Sequence, residues 1–247
     1  MFGVYLLVWI LSAGLLGPLV SPRTVTLAST VLPAVAALLA LRGCVERPQC
    51  YLGLGRPRAV SIVLSVVAGL AIIPVAISLE ALVIARFKVP TEVLDLLEET
   101  IKAESLPELA YVVAVAAVGA AIFEELVFRG ILQRALCRLV GNRVGLVAAS
   151  LVFGLLHDPW RLPAAFVLGL VLGLIYLKTG SLVLSMVAHF TVNSVAVVAL
   201  YVIEKRAEAG VPAWMLENRP APWWLVAASL AAFAVAMRAL LKTRRTA

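Results

Sequence analysis

A chain of 247 residues that is 63% hydrophobic and only 14% charged, with a mean hydropathy of +1.04, carries more apolar surface than a water-soluble core could hide. It reads as an all-α polytopic membrane protein, a single transmembrane domain over residues 1–247. The net charge of +7 does not point to nucleic acid, because the cations follow the loops of a membrane protein.

Apolar runs long enough for a helix to cross a bilayer, about 20 residues, place spans near 2–20, 24–41, 59–85, 109–136, 143–157, 162–178, 181–203 and 223–241. Eight helices are expected. The first run has no basic leader and no small-residue cleavage site, so it is taken as a retained helix. With eight spans, the loops near 42–58, 129–143 and 178–180 share a side with the C-terminus, and that side holds thirteen of the 21 Lys and Arg residues. Both termini are therefore expected in the cytoplasm of a cell-membrane protein. The three cysteines, Cys44, Cys50 and Cys137, then face a reducing compartment and show no metal-ligand spacing.

Two connections stand out. After Pro90-Thr91, a plausible cap, the segment 86–108 places Val93, Leu97 and Ile101 four residues apart. Glu92, Asp95, Glu98, Glu99 and Lys102 fall mostly on other faces, which makes a short amphipathic helix at the membrane surface, either a solvated linker or a gating lid. Residues 204–222 carry Gly210, Pro212, Pro220 and Pro222, and Trp214, Trp223 and Trp224 look like interfacial anchors. Gly141-x-x-x-Gly145 and Gly169-x-x-x-Gly173 permit close helix approach.

Against this apolar background the chain has only two histidines. They occur in Phe153-Gly-Leu-Leu-His157 and His189-Phe-Thr-Val-Asn193, and a third signature, Glu124-Glu125-Leu-Val-Phe-Arg129, precedes them. Ionisable groups at membrane depth are costly and mark functional sites by default. At about 1.5 Å per residue from the nearest loop, Glu124 lies about 15 Å deep, His157 about 21 Å, and His189 and Asn193 about 12 and 18 Å. Four polar side chains from three spans thus share one layer.

Helical phase separates their tasks. Neighbouring residues differ by about 100°, so Glu124 and Glu125 cannot both face one site. Arg129, four residues after Glu125, is spaced for an ion pair on one face. Glu125 and Arg129 are assigned a supporting role, which leaves Glu124 for chemistry. His189 and Asn193 share one stripe, and Phe153 sits one turn before His157, where it can wall the site. Asp158 is read as a turn residue, and Cys137 and Met186 as packing residues.

The three signatures, in order and without a substitution, resemble the CAAX prenyl endopeptidase and bacteriocin-processing (Abi) family of intramembrane glutamate proteases, type II CAAX endopeptidases among them. The resemblance covers a core of about 109–200. It implies an endopeptidase that needs no serine or cysteine nucleophile: Glu124 and His157 activate a water, while His189 and Asn193 stabilise the oxyanion. It also implies a membrane-associated peptide or protein substrate, prenylated or not, and no cofactor. A desolvated carboxylate beside an imidazole suits general-base work, and fixed donors suit the developing negative charge. Two alternatives use the same residues: a zinc protease with Glu124, His157 and His189 as ligands, and a non-hydrolytic peptide-binding protein or transporter. No His-Glu-x-x-His helix supports the zinc form.

Overall fold

The computed structural model describes residues 31–32, 35–36, 38–39, 41–205, 212, 214 and 219–243. The expected span 2–20 lies outside them, and 24–41 is described only in part. Among the described residues the chain is a bundle of helices without strands.

We label the helices α1 (Pro48–Leu52), α2 (Ala59–Phe87), α3 (Thr91–Ile101), α4 (Leu106–Val140, continuous), α5 (Asn142–Leu155), α6 (Leu162–Thr179), α7 (Leu182–Lys205) and α8 (Trp223–Thr243). Five of them, α2, α4, α6, α7 and α8, are long and apolar enough to cross a membrane, and α5 is a shorter apolar helix. Exposed Leu82, Leu139, Val147, Leu155 and Val235 cover the outside; in lipid such a surface needs no burial. Trp223 and Trp224 are exposed at the start of α8, as an interfacial anchor requires.

Two boundaries differ from the sequence reading. The span expected over 143–157 stops at Leu155, so Leu156 and His157 form a turn before α6. In α3 the cap is Pro90, and no side chain bonds the first amides. A genuine cap occurs at α4 instead, where Ser105 Oγ accepts the Glu108 N–H and Glu108 Oε2 accepts the Glu104 N–H.

Small residues set the helix spacing. A Cβ on Gly69 would stand 2.7 Å from the Ala188 carbonyl, which brings α2 against α7. One on Gly145 would stand 2.5 Å from the Cys137 nitrogen, so α5 folds back closely on the end of α4. Gly141 is a turn residue at φ +83 with open space around it. One end of the bundle is sealed by Leu41, Leu52, Leu126, Tyr176 and Leu182. There Gly53, at φ +70, accepts the Leu182 N–H at 3.1 Å and lies directly on the Gly180 carbonyl. Arg134 clips the seal by donating to the Tyr51 carbonyl and, at 2.8 Å, to the Tyr176 hydroxyl.

Candidate active site

The site begins with an irregularity in α4. Residues Val113–Gly119 and Leu126–Gln133 are π-helical, on either side of a short α-helical stretch, Ala120–Glu125, that holds both glutamates. Bonds from i to i+5 widen the spiral beyond 3.6 residues per turn, and such segments favour functional sites. Every residue from Glu125 to Gln133 is buried, and the polar side chains among them, Glu125, Arg129 and Gln133, form a row at i, i+4 and i+8.

That row is tied to α6. Arg129 Nη2 donates to the Gly169 carbonyl at 3.3 Å, and Gln133 Nε2 to the Gly173 carbonyl at 3.0 Å. The two acceptors are the glycines of the Gly-x-x-x-Gly pair. A Cβ on Gly173 would meet Leu146 and the Gln133 amide, and one on Gly169 would stand 3.0 Å from the Ser150 Cβ. The bare backbone thus serves as a pair of acceptors for buried polar groups as well as a packing surface.

Glu125 is the hub. Its Oε1 forms an ion pair with Arg129 Nη1 at 2.8 Å and lies 3.0 Å from His189 Nδ1, and its Oε2 accepts the Ser185 hydroxyl. All four residues are buried. Arg129 also lies over the Phe153 ring, 4.3 Å from its centroid. Ser185 and Gln133 were not singled out in the sequence. A polar residue one turn before His189, and another one turn after Arg129, are the periodic signals that could have found them.

Hydrogen counting fixes the imidazoles. His157 Nδ1 is 2.7 Å from the Phe153 carbonyl; a carbonyl only accepts, so Nδ1 carries a proton, and in the neutral ring Nε2 keeps the lone pair. His189 Nδ1 faces the Glu125 carboxylate, already paired with Arg129, and it too is the donor. Its Nε2 is 3.9 Å from Glu124 Oε2, an oxygen that is buried and without a hydrogen-bond partner among the described residues. Phe153 packs between the imidazoles, with ring centroids 4.6 Å from His157 and 6.0 Å from His189. Asn193 Nδ2 donates to the Ala116 carbonyl at 3.1 Å, within the first π-helical segment, which leaves its second N–H for another acceptor.

His157 and His189 therefore flank Phe153, Glu124 lies beside His189, and Asn193 lies one turn along α7 from His189. Among the described residues no group of three or more His, Cys, Asp or Glu is placed to hold a metal ion. The arrangement offers one unpartnered carboxylate oxygen, an imidazole lone pair and a spare amide donor in an apolar surround. Residues 106–195 match the family model for type II CAAX prenyl endopeptidase Rce1-like proteins. This segment belongs to that family. Comparisons with curated proteins and with solved structures gave no match.

The family is one of proteases, peptide hydrolases that act on membrane-associated proteins, and the apolar helices around the segment make this chain a multi-pass membrane protein. The matched endopeptidase segment takes in α4, α5, α6 and the first half of α7, the elements that carry all three signatures.

Proposed function

We propose that the protein is an intramembrane endopeptidase in which Glu124 and His157 activate a water for attack on a peptide bond. The observation that carries the reading is the Glu124 carboxylate oxygen, buried and unpartnered beside His189. A desolvated acceptor without a partner is costly to maintain and gains by accepting a proton or a water hydrogen bond. His157 Nε2 is a second acceptor for the same water, since its Nδ1 is held as donor by the Phe153 carbonyl.

In the proposed cycle the water oxygen attacks the carbonyl carbon as its proton passes to Glu124. The tetrahedral oxyanion is met by the second Asn193 N–H and by His189. With Nδ1–H committed to Glu125, a neutral His189 could only accept at Nε2, so its service as oxyanion donor requires the imidazolium form, flanked by Glu125 and Glu124. Collapse returns the Glu124 proton to the leaving amine. The substrate class is a membrane-associated peptide or protein, with a prenylated C-terminal segment as first choice, and both chain termini are placed in the cytoplasm. The reading uses no metal; the alternative, zinc on Glu124, His157 and His189, requires that chelation remove activity and added zinc restore it.

The test is to incubate purified, detergent-solubilised protein with fluorogenic prenylated and non-prenylated peptides, with and without chelator. Cleavage that survives chelation and disappears in Glu124→Ala is expected. Retained cleavage in that variant would refute the mechanism, and no cleavage of any peptide would favour a non-hydrolytic binding protein.

A further inference from the structure

His157 is followed by a turn, Asp158-Pro-Trp-Arg161, that leads into α6. Arg161 Nε donates to Glu80 Oε1 of α2 at 3.0 Å, and the Arg161 side chain is 41% exposed. The contact engages only the Nε edge of the guanidinium. Among the described residues nothing accepts from its two Nη groups, and Asp158, in the same turn, pairs with Arg161 only through its backbone carbonyl. The indole N–H of Trp160 is also buried without an acceptor. Two adjacent residues therefore carry unused donors, and both precede the N-terminus of an 18-residue helix, whose first amides add partial positive charge.

We propose that Arg161 is the receptor for the C-terminal carboxylate of the substrate, with Glu80 as a positioning residue that holds the guanidinium by Nε and presents its Nη edge. Arg binds carboxylates best through two parallel N–H groups, and the Nη edge offers that geometry. Reach agrees with this assignment. A CAAX-type chain ends three residues beyond its cysteine, and three extended residues span about 10 Å. Arg161 stands four residues from His157, so their Cα atoms are separated by no more than about 14 Å. A peptide whose scissile carbonyl lies at His157 would bring its terminal carboxylate to this turn, and the enzyme would measure three residues from the chain end. The inference rests on the peptidase reading above and names what sets its register.

The experiment uses one fluorogenic peptide that ends in a prenylated cysteine plus three residues, made as the free acid and as the carboxamide. KM and kcat are measured for both with the full chain in detergent. The wild type is expected to show a KM about tenfold or more lower for the acid, the scale of a hydrogen-bonded charge pair. Arg161→Gln should erase the preference by raising KM for the acid alone. Glu80→Gln breaks the same ion pair but leaves the guanidinium, and should retain most of the preference. Loss of preference to the same extent in both variants, or its survival in Arg161→Gln, overturns the assignment and leaves the pair a helix-to-helix tie. Failure of the wild type to cleave either peptide counts against the peptidase reading. In that case fluorescence anisotropy with the same two peptides still decides: tighter acid binding that Arg161→Gln abolishes supports the receptor, and equal binding refutes it.

Discussion

Glu125 on α4 reaches across 64 sequence positions to hold His189 on α7, Nδ1 to Oε1 at 3.0 Å, and the same oxygen takes Arg129 at 2.8 Å. A buried carboxylate that joins a cation to an imidazole fixes the ring orientation, and loss of either charged partner strands the other. Arg129→Ala should therefore destabilise the protein by about 3–5 kcal/mol, the cost of one uncompensated buried charge. Arg129→Lys should not restore it, because Nη1 serves Glu125 while Nη2 serves the Gly169 carbonyl, and a single ammonium cannot span both. Thermal unfolding in detergent measures this; a lysine variant as stable as wild type would refute the two-pronged role.

Ser185→Ala removes the one hydroxyl proton that lies between Glu125 Oε2 and the Leu172 carbonyl, and leaves the Glu125–Arg129 ion pair intact. The expected stability loss is small, about 0.5–1.5 kcal/mol. Activity should fall more than that number suggests if His189 must be held in place. A kcat lowered by about tenfold at unchanged KM is the expected result, since the loss concerns the transition state. An unchanged kcat would reduce Ser185 to packing.

Gly173→Ala tests the acceptor role of the α6 glycines. The new methyl meets Leu146 and the Gln133 amide, so the Gln133–Gly173 bond must lengthen or break. Overpacking of this kind costs about 1–3 kcal/mol. Gln133→Leu in the same background should recover part of the loss by removing the stranded amide. A Gly173→Ala variant with wild-type unfolding temperature would refute the tight fit.

Much of this was legible in the chain, and the parts that were not have physical reasons. Apolar runs placed α2, α4, α6, α7 and α8 to within a few residues, because a helix in lipid has little choice of length. Periodicity could not show that α4 widens into π-helix on both sides of Glu124 and Glu125, since hydropathy is blind to a change of pitch. The spacing of Glu125 to Arg129 suggested their pair, but its third member, His189, is a tertiary partner and no local spacing reveals it. His157 was expected inside a helix; it lies just beyond one, where the end of α5 frees the turn that carries Arg161.

The acidic helix α3 offers a pH test away from the membrane-spanning helices. Lys102 at its end pairs with Glu204 of α7 at 2.9 Å. Partial burial, then the nearby Glu204 and Asp95, raise the Glu98 carboxyl above its ordinary 4.5. The folded form thus binds this proton more tightly than the unfolded one, so the Glu98 contribution to stability grows as pH falls through the raised value and is lost as pH climbs above it. The Lys102 group has the same sign in a higher window: Glu204 raises it, so its contribution persists through neutral pH and fades only as pH passes the usual lysine range. After correction for intrinsic exchange rates, α3 amides should be better protected at pH 5 than at pH 7, and Glu98→Gln should remove most of the difference. Equal protection at both pH values in the wild type would refute this account.

Asn193 separates the proposed water-and-oxyanion mechanism from the metal alternative. One of its N–H groups is spent on the Ala116 carbonyl, and the other is the proposed oxyanion donor. Asn193→Ala should lower kcat by about 10²–10³-fold with a much smaller change in KM, because that bond counts mainly in the transition state. Asn193→Asp makes the complementary test: it offers no second N–H and sets a carboxylate against the Ala116 carbonyl, so it should be at least as inactive as the alanine. If Glu124, His157 and His189 instead held zinc, loss of Asn193 would matter less. Chelation would then abolish activity, and added zinc would restore it. Stoichiometric zinc in active protein, lost together with activity on chelation, would decide for the metalloprotease; full activity in chelator, with the alanine variant down by two orders of magnitude or more, decides for the water held by Glu124 and His157.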